Sequence, residues 1–254
     1  AMMETTQADT WQEHYGMARS GLAQSLQFGE QYQAAADLYG EMLQDDPDNA
    51  QLIGSLASVL TELEMPDSVD ALYNDLLNRP GLTEADLANA GVGLFRIGEY
   101  DRAAEAFRAA ADMNPFNRDA RLNLVQTYFT SENWEAVLEP AMEVLEVDPL
   151  NGFVWVILAR AYSELEQPQE ANRVFNEYQA IGYEIEDLML EPLPSGGARV
   201  SGSLKNNQAE EGSTVTLRFR FGNREGQEVG TTDIRVQLPA AEQSVQFTGT
   251  FDSS

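Results

Sequence analysis

The chain has 254 residues, 42 of them Asp or Glu and 15 Lys or Arg, for a formal charge of −27. A polyanion of this size is repelled by nucleic acid and by anionic lipid, which excludes a nucleic-acid reader. There is no Cys and a single His, His14, so thiol nucleophiles, Cys-ligated metals and His-based metal clusters are excluded as well. The length suits one large or two modest domains with ample core. No stretch approaches eighteen apolar residues, so no spanning helix is expected. The opening residues, Met2 to Gln7, are polar and lack the basic and apolar regions of a secretory signal. Lys205 is the only Lys among the basic residues. Many carboxylates with almost no Lys resemble the proteins of salt-loving organisms, in which high salt screens self-repulsion.

The charge is unevenly placed. Residues before 191 hold 34 acidic and 9 basic side chains, and residues from Glu191 onward hold 8 and 6. The local pattern changes at the same place, from helical periodicity to strand alternation, across Pro192-Leu193-Pro194 and Gly196-Gly197. The expected organisation is therefore a helical domain over 1–191 and a small all-β domain over 192–254.

The helical part repeats every 34 residues. Pro115 and Pro149 mark the period, and Pro47 lies two periods before Pro115. An aromatic column runs through Tyr39, Tyr73, Phe107 and Phe175, with Ala141 in the remaining place. A second column of mostly small residues runs through Ala23, Ala57, Gly91, Val125 and Ala159. Repeats of this period are stacked helix–turn–helix units. The small residue lets the second helix of a unit approach the first, and the aromatic fills the gap toward the next unit. Pro after the second helix ends it without needing an N–H. The starts fall near 16, 50, 84, 118 and 152, and Thr5–Met17 extends the first helix as a cap. The second unit, with Ile53, Leu56, Ala57, Leu60 and Tyr73, is the most degenerate. Its Pro80 comes one residue early, which predicts an irregular turn near Gly81.

These columns resemble the tetratricopeptide repeat family. Its pattern of Trp-x2-Leu-Gly-x2-Tyr, then Ala-x3-Phe, then Pro, is read in Trp155, Leu158, Ala159, Tyr162, Ala171 and Phe175. It is read again in Leu87, Ala90, Gly91, Leu94, Tyr100, Ala103, Phe107 and Pro115. The resemblance covers residues 16–183 and implies a right-handed α-α superhelix of about five units. It further implies that the first helix of each unit lines a concave groove that binds protein or peptide, with no cofactor.

On this chain the groove falls on Gln24, Phe28, Ser58, Thr61, Val92, Phe95, Arg96, Gln126, Phe129 and Arg160. With their neighbours Glu62 and Glu164 these positions are neutral, whereas the second helices carry rows of acids such as Glu135, Glu139 and Glu143. A neutral, amide-rich face with Phe anchors suits an extended peptide or an apolar helix. The same Phe residues could instead pack between neighbouring first helices. The face lacks the several Lys and Asn with which some members of the family clamp a C-terminal carboxylate.

After the helices, Val215, Leu217, Phe219 and Phe221 alternate with polar residues. Ile234, Val236 and Leu238 do the same, as do Val245 and Phe247, with Val200, Gly202 and Leu204 ahead of them. Four or five antiparallel strands forming a small β-sandwich or one-sided sheet are expected. The segment resembles the small immunoglobulin-like domains of bacterial envelope proteins. That resemblance implies a place in the cell envelope or periplasm, with the export signal lying outside this sequence; the residues by themselves leave an intracellular place open as the alternative.

Other constellations are weaker. Asp45-Asp46-Pro47-Asp48-Asn49 has oxygen ligands but lacks the order of a calcium loop, and it falls where a turn and helix cap belong. Gly91-Val92-Gly93 lacks the third Gly and the preceding strand of a phosphate loop. Glu132, Glu135, Glu139 and Glu143 line one solvated helix face rather than facing each other across a cleft. His14, beside Trp11 and Tyr15, suits a surface or cap position.

The expected function is a non-enzymatic interaction scaffold. The alternative is an architectural module whose groove or acidic face packs on its own β-domain or on another copy, as a homo-oligomer, with Arg218, Arg220, Arg224 and Arg235 opposing the acidic repeats. A carboxylate- or metal-dependent enzyme is the remote alternative. The charge distribution carries a prediction. Like charges three and four residues apart cost each helix about 0.2–0.5 kcal/mol per pair. Raising NaCl from about 0.1 to about 1 M shortens the Debye length from about 10 to about 3 Å. The melting temperature of residues 1–191 should rise steeply over that range while that of 192–254 responds little, as read by thermal melts. A flat response in the repeats would remove the salt adaptation and leave codon bias, with Arg in place of Lys, as the explanation.

Overall fold

The computed structural model describes residues 2–194, 196–223 and 226–252. Ten helices come first: α1 (Met2–Phe28), α2 (Tyr32–Asp45), α3 (Ala50–Glu62), α4 (Pro66–Leu77), α5 (Glu84–Arg96), α6 (Tyr100–Met113), α7 (Arg118–Thr130), α8 (Trp134–Val147), α9 (Gly152–Glu164) and α10 (Pro168–Ile181). Five strands follow: β1 (Tyr183–Pro192), β2 (Ala198–Asn206), β3 (Thr214–Gly222), β4 (Glu228–Gln237) and β5 (Gln243–Phe251). The chain forms two compact units, residues 1–110 and 111–254.

The helices begin where the repeat punctuation places them. Asn49, Asn117 and Asn151 cap α3, α7 and α9, their side-chain oxygens accepting from the backbone N–H of Leu52, Ala120 and Val154 at 3.0, 2.8 and 3.2 Å. The acidic cluster ahead of α3 is consumed in the same way. Asn49 donates to Asp46 at 2.9 Å, while Asp45 and Asp48 each sit 2.6 Å from an arginine, Arg19 and Arg79. At the irregular turn Gly81 adopts φ 79°, and a capping box between Thr83 and Asp86 starts α5.

Each unit turns from its first helix to its second through one conformation. Glu30, Glu64, Gly98, Glu132 and Glu166 are left-handed, with φ of 57, 56, 85, 56 and 58°. The residue after each donates its N–H back to Leu26, Leu60, Leu94, Tyr128 and Tyr162, closing the loop that satisfies the last helical carbonyls. This column also recurs every 34 residues, yet only the third unit supplies Gly.

In the first unit the small-residue column does what the spacing predicts. Ala23 and Ala57 are fully buried, and a Cβ on Gly91 would lie 2.7 Å from the ring of Phe107. A Cβ on Gly93 would overlap the hydroxyl of Tyr73 and lie 3.1 Å from the Gly54 Cα. Glycine there lets α3 and α5 approach across the buried Tyr73 ring. In the second unit Val125, Val137, Ala141, Val144, Val154, Ile157 and Leu158 form the helical core. The aromatic column breaks at Phe175, which is 53% exposed while its neighbour Val174 is buried. The expectation that Phe175 fills an inter-repeat gap fails because strand, not an eleventh helix, follows α10.

The strands form a three-stranded sheet in the order β1-β2-β5 and a two-stranded sheet of β3 and β4, all antiparallel. The expected inward residues Leu204, Leu217, Val236, Leu238 and Phe247 make the core, and the Phe219–Phe247 and Phe221–Phe251 rings stack between the sheets at 5.7 and 5.1 Å. Asn206 is fully buried and fully used, donating to Ala209 and Pro239 and accepting from the Ala209 N–H. The change from helix to strand falls at Gly182, not near Pro192. Between β1 and β2, Leu193 donates its N–H to the Gly197 carbonyl at 3.2 Å. β1 escapes a pattern search because it slips register between Glu186 and Met189, with Asp187 at φ 52°. The bulge carries the inward set from Tyr183 and Ile185 to Leu188, which breaks the alternation. A cut at 191/192 would strip β1 from its sheet, so the salt response is best followed in the intact chain, where every Trp lies in a helix.

The left-handed turns carry a direct test. A non-glycine residue in this conformation is strained by about 1 kcal/mol. Glu132→Gly should therefore raise stability by about 0.5–1 kcal/mol despite the freer unfolded chain, and Gly98→Ala should lower it by about 1 kcal/mol. Denaturant melts of the two variants decide the point.

Candidate interaction site

The first-helix positions are placed separately in the two units. In the first, Phe28 at the end of α1 is 88% exposed and Val92 on α5 is 42% exposed. Gln24 and Arg96 are exposed, Ser58 is half-buried and accepts from Gln27 at 3.2 Å, and the exposed Thr61 returns its hydroxyl to the Ala57 carbonyl at 2.9 Å. Phe95 is half-buried, edge-on to Tyr100 of α6 at 5.4 Å. In the second unit the same pair recurs one period later, Phe129 edge-on to Trp134 of α8 at 5.7 Å. Arg160 of α9 lies over both rings, 5.3 Å from Phe129 and 5.4 Å from Trp134, and pairs with Glu164 at 3.6 Å. Gln126 is half-buried and donates to Thr130 at 2.8 Å.

Phe95 and Phe129 therefore pack against the second helix of their own repeat and leave only part of each ring open. Two exposed apolar residues extend this face on α9, Val156 at 57% and Phe153 at 52%, one and two turns before Arg160; of the two, sequence reasoning missed Phe153. Spacings of three and four residues place all three on one side of the helix. Val156 falls in the first-helix column of Ala88 and Leu122, whereas no family pattern marks Phe153.

A second contact region, within residues 111–254, was not legible at all. The inter-repeat turns carry Phe116 and Leu150, one period apart, at the place held by Asp48 and Leu82 in the two earlier turns. Phe116 fills the space a side chain on Gly222 would need, and Pro115 lies 2.8 Å from the Cβ position of Gly226. Leu150 joins the β core, and its carbonyl accepts the Ile185 N–H at 3.1 Å. Trp155 stacks on Tyr178 at 6.3 Å and donates its indole N–H to the Pro149 carbonyl at 2.8 Å. The Tyr178 hydroxyl donates to Glu184 at 2.6 Å, and Lys205 reaches the same carboxylate at 3.4 Å. The strands are thus seated on the turns of the last repeats.

The arginines of the strands find acids nearby. Arg218 makes a two-pronged pair with Asp233 at 2.7 and 2.8 Å, and Arg220 lies 3.9 Å from Glu228. Both partners are on the adjacent strand, which accounts for these two charges without the acidic repeats. Arg235 is exposed and Arg224 lies outside the described residues. His14 is exposed on α1, and the side chain of Trp11 lies outside the described residues. Among the described residues no three His, Asp or Glu side chains are grouped to hold a metal, and no helix is long and apolar enough to cross a membrane.

Two tyrosines respond to their surroundings. Burial pushes Tyr73 up to about 12, and its hydroxyl has no hydrogen-bond partner among the described residues. Burial, then the hydrogen bond to the Glu184 carboxylate, pushes Tyr178 up to about 12. Both groups are neutral in the fold where the unfolded chain has begun to ionise. The stability they contribute is complete below about pH 10 and is lost as pH rises toward about 12. Denaturant melts from pH 9 to 11 should show falling stability. Tyr73→Phe should flatten part of that fall and raise neutral-pH stability by about 1 kcal/mol, because it removes an unpaired buried hydroxyl.

Residues 89–137 match the family model described as tetratricopeptide repeat. No curated protein matches the sequence. Among solved structures, MamA is similar at 17% identity over 62% of this chain and 92% of that one, with a TM-score of 0.45. A MamA fragment from Desulfovibrio magneticus RS-1 aligns at 16% identity over 65% and 94%, with a TM-score of 0.46. YrrB, described as a TPR protein with an unusual peptide-binding site, aligns at 16% identity over 69% and 91%, with a TM-score of 0.44. The matched segment, from α5 into α8, is tetratricopeptide repeat, and its 34-residue columns continue in register through the helix pairs on either side.

Proposed function

We propose that the chain is a non-enzymatic scaffold that holds a peptide or helix of another protein against its first-helix faces. Tetratricopeptide repeats serve generally as protein-interaction modules, and the observation that carries the reading here is chemical contrast. In a chain of charge −27, the α7 and α9 face offers Phe129, Phe153, Val156 and Arg160, with Glu164 as the acid paired to the arginine. Partly open aromatics beside an arginine are the composition of binding hot spots. The arginine also favours an acidic or carboxylate-bearing segment that the rest of the surface would repel.

A second reading has the β region serving the repeats, and the seat on Phe116 and Leu150 favours it. That seat uses the turns and leaves Phe153 and Val156 open, so the two readings coexist.

The test is selection of peptides from a random library on the immobilised chain, followed by titration of a selected peptide. Phe129→Ala with Arg160→Glu should weaken binding at least about tenfold, the loss of one good anchor. Glu105→Gln, on an exposed position of α6, should leave it unchanged. Equal affinity in the double variant would refute the first-helix face as the site.

A further inference from the structure

The repeat interface inside the chain is made in a recurring way. The aromatic of a second helix reaches the first helix of the following repeat. Tyr39 of α2 lies beside Ser55 of α3, and the Tyr73 hydroxyl of α4 meets Gly93 of α5. Beside those contacts lies a buried column of the first helices, Leu56, Ala90, Leu124 and Leu158, exposed by 9, 0, 1 and 3%.

Both halves of this interface are left uncovered once. Leu22 is the α1 member of the buried column, and it is 55% exposed. Phe175 is the α10 member of the aromatic column, and it is 53% exposed where Tyr39, Tyr73 and Phe107 are 2, 0 and 1%. The repeat period makes Gly21 the counterpart of Ser55 and Ser25 the counterpart of Gly93. Both are exposed and flank Leu22, and no heavy atom comes within 4 Å of a Cβ built at Gly21. α1 therefore presents the small-residue gap that receives an aromatic between repeats, and α10 presents the aromatic.

Charge favours the same pairing. From His14 to Phe28 the sequence holds no carboxylate, whereas the exposed side of α10 holds Glu170 and Glu177 around Arg173. In so acidic a chain, an acid-free stretch of helix is the face that a second copy approaches with least repulsion.

We propose that the α10 face around Phe175 of one copy docks on the α1 face around Leu22 of a second copy, continuing the repeat interface between molecules. The contact joins two different surfaces, head to tail, so it can propagate from copy to copy. It is independent of the first-helix face and leaves that face free for a partner.

The experiment is analytical ultracentrifugation of the full chain over about a hundredfold range of concentration, in about 1 M NaCl to screen the net charge. The wild type should associate with rising concentration. Leu22→Glu and Phe175→Glu, both at exposed positions and each checked for an unchanged melt, should each weaken association by about ten- to a hundredfold. The deciding measurement is a mixture of the two variants. Each retains one intact face, so an equimolar mixture should form a dimer that does not grow further. A wild type that stays monomeric would overturn the proposal. So would Leu22→Glu abolishing association with Phe175→Glu having no effect, which would mean that α1 pairs with α1. A mixture that stays monomeric would overturn it equally.

Discussion

Everything in the helical part depends on how closely a second helix can approach the first helices beside it. That distance is set where Phe107 lies on Gly91 and where Tyr73 lies between Gly54 and Gly93, with no room for a Cβ on Gly91 or Gly93. A repeat array has only such neighbour interfaces, so one contact of this kind stands in for a central core. The turn inside each repeat serves the same end. Its left-handed residue reverses the chain in a short span, and four units accept the strain of Glu there to keep the geometry.

Charge is arranged around that packing. The few arginines are spent between elements. Arg19 reaches Asp45 of α2, Arg79 reaches Asp48 in the turn ahead of α3, Arg102 of α6 reaches Asp70 of α4, and Arg118 of α7 reaches Asp148 ahead of α9. Exposed pairs of this kind are worth about 0–1 kcal/mol each. Their value lies in placing positive charge where negative helices converge. Arg160 is used differently, over Phe129 and Trp134, and this gives the first-helix face of the second unit a chemistry found nowhere on the acidic rows.

The β region is joined to the last repeats by more than its linker. Phe116 and Leu150 occupy one place in two successive turns, and both are covered by strands. The Tyr178–Glu184–Lys205 chain of polar contacts adds direction to this apolar seat and uses the only lysine. A small sheet with few buried residues gains core by borrowing Leu150, which suits a region of this size.

The sequence alone determined the repeat. Period, caps and the small and aromatic columns are local or nearest-neighbour features, and the helices obeyed them from Asn49 to Asn151. It also determined the inward faces of β2 to β5, because an unbroken strand has period two. Most of the first-helix face was legible by projection, since a helix fixes which residues share a side. Tertiary structure decided the remainder. The bulge at Asp187 hid β1, because one extra residue reverses every later side chain. Phe175 and Leu22 obey the same columns as their buried counterparts, and they are exposed because no described helix covers them. Phe116 and Leu150 looked like ordinary turn residues until strands far along the chain were folded onto them, and no local pattern records a contact made at that separation.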